Sequence, residues 1–106
     1  MKIAITLTTI NIPYVIKSYM ENINKFSHKD IEFIIVTDKK TPEEAKDYTA
    51  KLSKNFGIKI NYLDLQFQTK YLKRFKALDK YLPYNSFARR NIGDMFAYEE
   101  GFDIII

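Results

Sequence analysis

Hydrophobic and polar positions change their period several times along the 106 residues of this chain, and each change marks an element. Residues 3–8 alternate loosely between β-formers and run into Thr8-Thr9-Ile10-Asn11, which predicts a buried first strand opening into a polar loop. Pro13 fits the first turn of a helix. Behind it Val15, Ile16, Tyr19, Met20, Ile23 and Phe26 recur at helical spacing, with Lys17, Glu21, Asn24 and Lys25 on the other face. Ile31-Glu32-Phe33-Ile34-Ile35-Val36-Thr37 is rich in β-branched and aromatic residues and closes on Asp38, the pattern of a central strand buried on both faces.

The next helix is signalled by its ends. Thr41-Pro42-Glu43-Glu44 reads as a capping box with proline just inside the helix, and Gly57 suits the left-handed residue that stops it, so a second helix is expected over about 42–55. Ile58, Ile60 and Tyr62 then alternate with Lys59, Asn61 and Leu63, predicting a third strand beside the second and near an edge of the sheet. A further helical stripe runs through Tyr71, Leu72, Phe75, Leu78 and Leu82 and is stopped by Pro83. Asn85-Ser86 can cap a last helix that ends at Gly101, and Phe102-Asp103-Ile104-Ile105-Ile106 begins a fourth strand. The order β-α-β-α-β-α-α-β predicts an α/β fold: a Rossmann-like parallel sheet with helices on both faces, whose ligands collect at the carboxyl ends of the strands. The sequence stops within the fourth strand, and the expectation is one domain, 1–106, truncated at its C-terminus.

Composition narrows the chemistry. With no cysteine, the chain is without disulfides, thiolate metal sites and cysteine nucleophiles, and fits a reducing cytosol. No apolar run approaches the ~20 residues of a membrane span or forms a signal sequence, so a soluble, cytoplasmic chain is expected, with a longer parent free or peripheral to a membrane. A formal charge of +4 favours anionic partners without choosing among them. The Gly-x-Gly-x-x-Gly and Walker-type phosphate cradles are absent.

Two clusters at strand ends, Thr8-Thr9-Ile10-Asn11 and Thr37-Asp38, carry hydroxyl, amide and carboxylate groups able to hydrogen-bond a base and a ribose edge. Each also has a structural reading, since Thr8, Thr9 and Asn11 can satisfy backbone groups of the loop and Asp38 can brace the turn into Lys39-Lys40. Arg89 and Arg90 stand near the start of a helix expected beside the first strand, where arginine can grip a diphosphate. Consecutive side chains diverge by about 100° on a helix, so one of the two reaches such a site, Arg90 being preferred, and the alternative is a solvated pair. Lys70, Lys73, Arg74, Lys76 and Lys80, interleaved with Tyr71, Phe75 and Tyr81, read as a solvated basic face over packed aromatics rather than a nucleic-acid surface. His28, the single histidine, lies in a polar loop with no partner for catalysis or metal binding.

Taken in order, Thr8-Thr9-Ile10-Asn11, Val36-Thr37-Asp38 with its Thr-Pro-Glu turn, and Ala88-Arg89-Arg90-Asn91-Ile92-Gly93 before a strand resemble the nucleotide-sugar domain of GT-A glycosyltransferases, in particular family-2-like enzymes. The resemblance covers nearly the whole chain. It implies that Thr8, Thr9 and Asn11 line a nucleotide pocket, that Asp38 accepts from the base or ribose, and that Arg90 approaches the diphosphate or the base, with Arg89 beside it as a further candidate. It also implies a nucleoside diphosphate sugar as partner, and Mg²⁺ or Mn²⁺ in the full-length parent, with none held by these residues alone. Two departures stand out: Asp38 is followed by Lys39 where relatives carry two carboxylates, and the chain ends before the Asp-x-Asp that binds metal, so the fragment is expected to be inactive by itself. The other readings are a non-catalytic nucleotide-binding α/β module and a small basic nucleic-acid-associated protein. Self-association through the exposed edge of the fourth strand is expected.

Overall fold

The computed structural model describes residues 1–26, 30–73 and 90–106. Their elements are β1 (Ile3–Thr9), α1 (Val15–Lys25), β2 (Ile31–Thr37), α2 (Glu44–Phe56), β3 (Ile60–Leu63), α3 (Leu65–Leu72), α4 (Arg90–Glu99) and β4 (Ile104–Ile105). The four strands form one parallel sheet in the order β3-β2-β1-β4. This is the expected Rossmann-like α/β architecture, with β2 central and β3 beside it at an edge. Among the described residues no helix is long and apolar enough to cross a membrane. His28, Arg74, Phe75, Lys76, Leu78, Lys80, Tyr81, Leu82, Pro83, the Asn85-Ser86 cap and Arg89 lie outside the described residues.

β2 explains why the sheet is covered on both sides. Phe33, Ile34, Ile35 and Val36 are all fully buried, and the alternation of a strand sends them to opposite faces. Phe33 and Ile35 pack with Ile16, Met20 and Ile23 of α1 and Leu52 of α2. Ile34 and Val36 pack with Ala4, Leu63, Tyr71, Ile92 and Ala97 on the face of α3 and α4. Leu63, which the alternation assigns to the polar side of β3, is buried because α3 and α4 give that side a core of its own.

The element ends depart from expectation in instructive ways. Only Ile16, Met20 and Ile23 of the α1 stripe are buried; Val15, Tyr19 and Phe26 are exposed, since they lie about 60–100° round the helix from the buried line, beyond the reach of β2. α2 begins at Glu44, and its N-cap residue Glu43 makes no side-chain cap. The capping box therefore does not form, because the Thr41 hydroxyl is engaged elsewhere: it accepts from the Asp38 N–H (2.8 Å) and donates to the Thr9 carbonyl (2.6 Å). At the other end Gly57 adopts φ 67° and its N–H donates to the Ser53 carbonyl, as a left-handed C-cap requires.

α3 starts six residues before the expected stripe, at Leu65, where the Asp64 carboxylate accepts from the Phe67 N–H (2.8 Å). α4 crosses the sheet closely. A Cβ placed on Gly93 would meet Val36 Cγ2 at 2.9 Å, which is tighter than real carbon contacts, so glycine sets this helix-to-sheet distance. β4 follows, and its pairing with β1 continues through Ile106, whose N–H donates to the Ala4 carbonyl and whose carbonyl accepts from the Thr6 N–H (both 2.9 Å).

Candidate functional site

The carboxyl ends of β2 and β3 are held together by a small buried network. Gln68, on the first turns of α3, is wholly buried and its amide donates to the carbonyls of Leu63 (2.7 Å) and Thr37 (2.9 Å). The Thr37 hydroxyl donates to the same Leu63 carbonyl (3.2 Å). Strand carbonyls that the ladder leaves behind are thereby satisfied, and the backbone that carries Asp38 is fixed in place.

Asp38 is buried, and its carboxylate accepts from the Lys39 N–H (2.7 Å). The turn-bracing role open to it in the sequence is thus present. Thr41 adds a second restraint, and by reaching the Thr9 carbonyl it also ties the loop after β2 to the end of β1. These residues open into a cleft of about 530 Å³, walled by Asp38, Thr41, Lys46, Asp47, Tyr62 and Asp64. The Lys46 ammonium stands 4.0 Å from the Asp64 carboxylate across it. Burial pushes the Tyr62 hydroxyl above its ordinary pKa of 10.0, with the Asp64 charge adding to the rise, so this wall presents a neutral phenol at physiological pH.

A second cleft, of about 340 Å³, lies beside Ile5, Thr6 and Leu7 in the middle of β1 and Ile106 after β4, the two neighbouring strands between which strand order reverses. Arg90 lines it. The Arg90 Nε–H donates to the Thr6 hydroxyl (3.2 Å), which is itself within hydrogen-bond distance of Asp94 Oδ1 (3.1 Å) and the Ile106 carbonyl (3.0 Å). Thr6 can give its one proton to either oxygen while receiving from Arg90. The guanidinium is therefore held through its Nε, on a residue that is exposed overall.

The sequence-predicted residues thus divide. Asp38 lines the first cleft and Arg90 the second. Thr9 shares its hydroxyl with the backbone of Asn11, accepting from the Asn11 N–H (3.1 Å) and donating to the Asn11 carbonyl, so its side chain shapes the loop. Thr8 is half-buried near the end of β1, paired with Val36, and Asn11 is exposed; neither lines either cleft. Arg89 is outside the described residues. Three participants carried no signal that sequence reasoning used, Thr6, Gln68 and Asp94, and a fourth, Thr41, was read there as a helix cap. Thr6 is visible in retrospect as a polar residue inside a buried strand, and Asp94 as the residue one helical turn after Arg90.

Among the described residues no three of His, Cys, Asp and Glu come together as a metal-holding group. Comparisons with protein-family models, with curated proteins and with solved structures gave no match. What stands is a small α/β domain with a four-stranded parallel sheet, one cleft at the carboxyl ends of β2 and β3 and another beside the middle of β1.

Proposed function

We propose that this chain forms the donor-binding part of a glycosyltransferase, taking the base and ribose of a nucleoside diphosphate sugar in the cleft beside Asp38. The observation that carries the reading is the placement of Asp38: a buried carboxylate at the end of the central strand, oriented by the Lys39 N–H and held beside the end of β1 through Thr41. A carboxylate accepts at two oxygens, each with two lone pairs, which is the chemistry that base N–H and ribose O–H donors require. The diphosphate then extends toward the cleft beside β1 and β4, where Arg90 supplies paired donors.

A non-catalytic nucleotide-binding module is the second reading, since a carboxylate in one cleft and an arginine in the other would serve binding alone. Both readings predict nucleotide binding, and sugar release from a nucleotide sugar separates them. The test of their shared step is a titration of the isotope-labelled chain with nucleoside diphosphates and with inorganic diphosphate, followed by NMR. Nucleoside diphosphates should shift Asp38, Thr41 and Tyr62, and inorganic diphosphate should shift Arg90 alone. Asp38→Ala should weaken nucleoside binding about tenfold, the loss of about 1.4 kcal/mol expected for a charged hydrogen bond. No perturbation by any nucleoside diphosphate sinks both readings.

A further inference from the structure

Asp38 is not the only charged group in its cleft. Asp64, which follows β3, and Lys46, on α2, line the same cavity and carry opposite charges. The Asp64 carboxylate has a set direction, because its Oδ1 accepts from the Phe67 N–H (2.8 Å) as the cap of α3. Its Oδ2 stands 4.0 Å from the Lys46 Nζ, beyond hydrogen-bond reach. The two side chains are 67% exposed for Lys46 and 40% for Asp64, so each keeps contact with water that a ligand can replace. Tyr62, half-buried on the α2 side of β3, adds an aromatic ring to the lining.

A cation and an anion that stand side by side without satisfying each other match an acceptor and a donor on neighbouring atoms of a planar ring. Every common nucleobase has such a pair on its pairing edge, so these two charges alone would accept any of them. Guanine differs by adding a second N–H: O6 accepts, while N1–H and N2–H donate side by side. A carboxylate receives two parallel N–H groups, as it does from the fork of an arginine, and Asp64 Oδ1 keeps a second lone pair after capping α3. Guanine also brings two fused rings, a larger face for Tyr62 than a pyrimidine offers.

From these features we infer that the base taken by this cleft is guanine, read by Lys46 at O6 and by Asp64 at N1–H and N2–H, with Asp38 left to the ribose hydroxyls. The inference rests on the nucleotide-binding reading above and adds to it the identity of the base. The sheet supports this division. Val36 of β2 is in register with Leu63 of β3, so Asp38 and Asp64 follow neighbouring strand ends, and a base and ribose joined by one bond can lie across them.

The test is a calorimetric titration of the whole chain with the 5′-diphosphates of guanosine, inosine, adenosine, cytidine and uridine. Inosine is guanosine without the N2 amino group, so the comparison of these two isolates the second N–H. Guanosine diphosphate should bind about tenfold more tightly than each of the others, the size of one hydrogen bond to a charged group. Asp64→Asn keeps an oxygen for the α3 cap but loses the charge and sets an amide donor beside the base, and it should erase the margin of guanosine over inosine. Lys46→Met keeps the apolar stem and should weaken both nucleotides alike, since both carry O6, leaving the margin in place. Equal binding of guanosine and inosine diphosphates, tighter binding of another base, or a margin that survives Asp64→Asn overturns the assignment of guanine while nucleotide binding itself stands. Binding of none of the five overturns the assignment together with the reading it rests on. If Asp64→Asn fails to fold, the five nucleotides on the unmodified chain decide.

Discussion

Gln68 shows how much a single side chain can organise. Its amide is wholly buried and caps two strand carbonyls at once, so replacing it with leucine keeps the volume and removes both bonds. Two buried acceptors then lose a donor, and Gln68→Leu should lower stability by about 2–3 kcal/mol in urea unfolding and broaden the Asp38 resonance in NMR. Gly93 is the opposite case, a position defined by the atom it lacks. The first atom a new Cβ would meet is the Cγ2 of Val36, a stiff β-branched side chain in the centre of the sheet, and so the helix rather than the neighbour must move. Gly93→Ala should cost about 1–3 kcal/mol by thermal or urea unfolding, although alanine is the better helix former. Asp38 was legible because acidic residues closing a buried strand stand at the ligand side of a parallel sheet. Gln68 was not legible, since its partners are backbone carbonyls of two other elements and no spacing in the sequence brings them together.

At the scale of elements, the same residue type served a different purpose from the one its neighbours suggested. Thr41 followed by Pro42 and Glu44 has the composition of a capping box, yet its hydroxyl joins the Asp38 N–H to the Thr9 carbonyl, and α2 starts without a side-chain cap. Local pattern lost to a tertiary bond. Thr41→Val should therefore cost about 1–2 kcal/mol in urea unfolding through the unpaired groups it leaves, while Thr41→Ser, which keeps the hydroxyl, should restore most of it. A plain cap predicts something else: its loss would fray the first turn of α2, raising amide exchange at Ala45 and Lys46, whereas the bridge predicts faster exchange at Asp38. The end of α2 needed no tertiary context, because Gly57 terminates it through its own φ of 67°. α1 lies between these cases. Its period was readable, but the buried line was narrower than the apolar stripe, and the excess, Val15, Tyr19 and Phe26, gave no hint in sequence of being left in solvent.

For the molecule as a whole, the parallel sheet followed from the alternation of element types, while the division of the predicted site into two clefts depended on packing that periodicity does not encode. The whole fold also has a testable response to alkali. Burial raises the pKa of Tyr48, with Tyr14 adding to it, and burial followed by the Asp64 charge raises that of Tyr62. Both therefore release their protons less readily in the folded chain than in the unfolded one. Below the ordinary tyrosine value of 10.0 both are neutral in either state, and their contribution to stability is fully present. As pH rises past that value the unfolded chain loses these protons first, so the unfolded state gains and stability falls until the folded tyrosines ionise as well. Urea unfolding at a series of pH values from neutrality into alkali should accordingly show a decline that begins near pH 10 and is shallower in a Tyr48→Phe, Tyr62→Phe double variant. Every other charged group is common to both proteins, so the difference between the two curves isolates the tyrosines. Curves that run parallel would mean that these two phenols are as well solvated in the folded chain as in the unfolded one, and that the wall of the Asp38 cleft is more open to water than its packing implies.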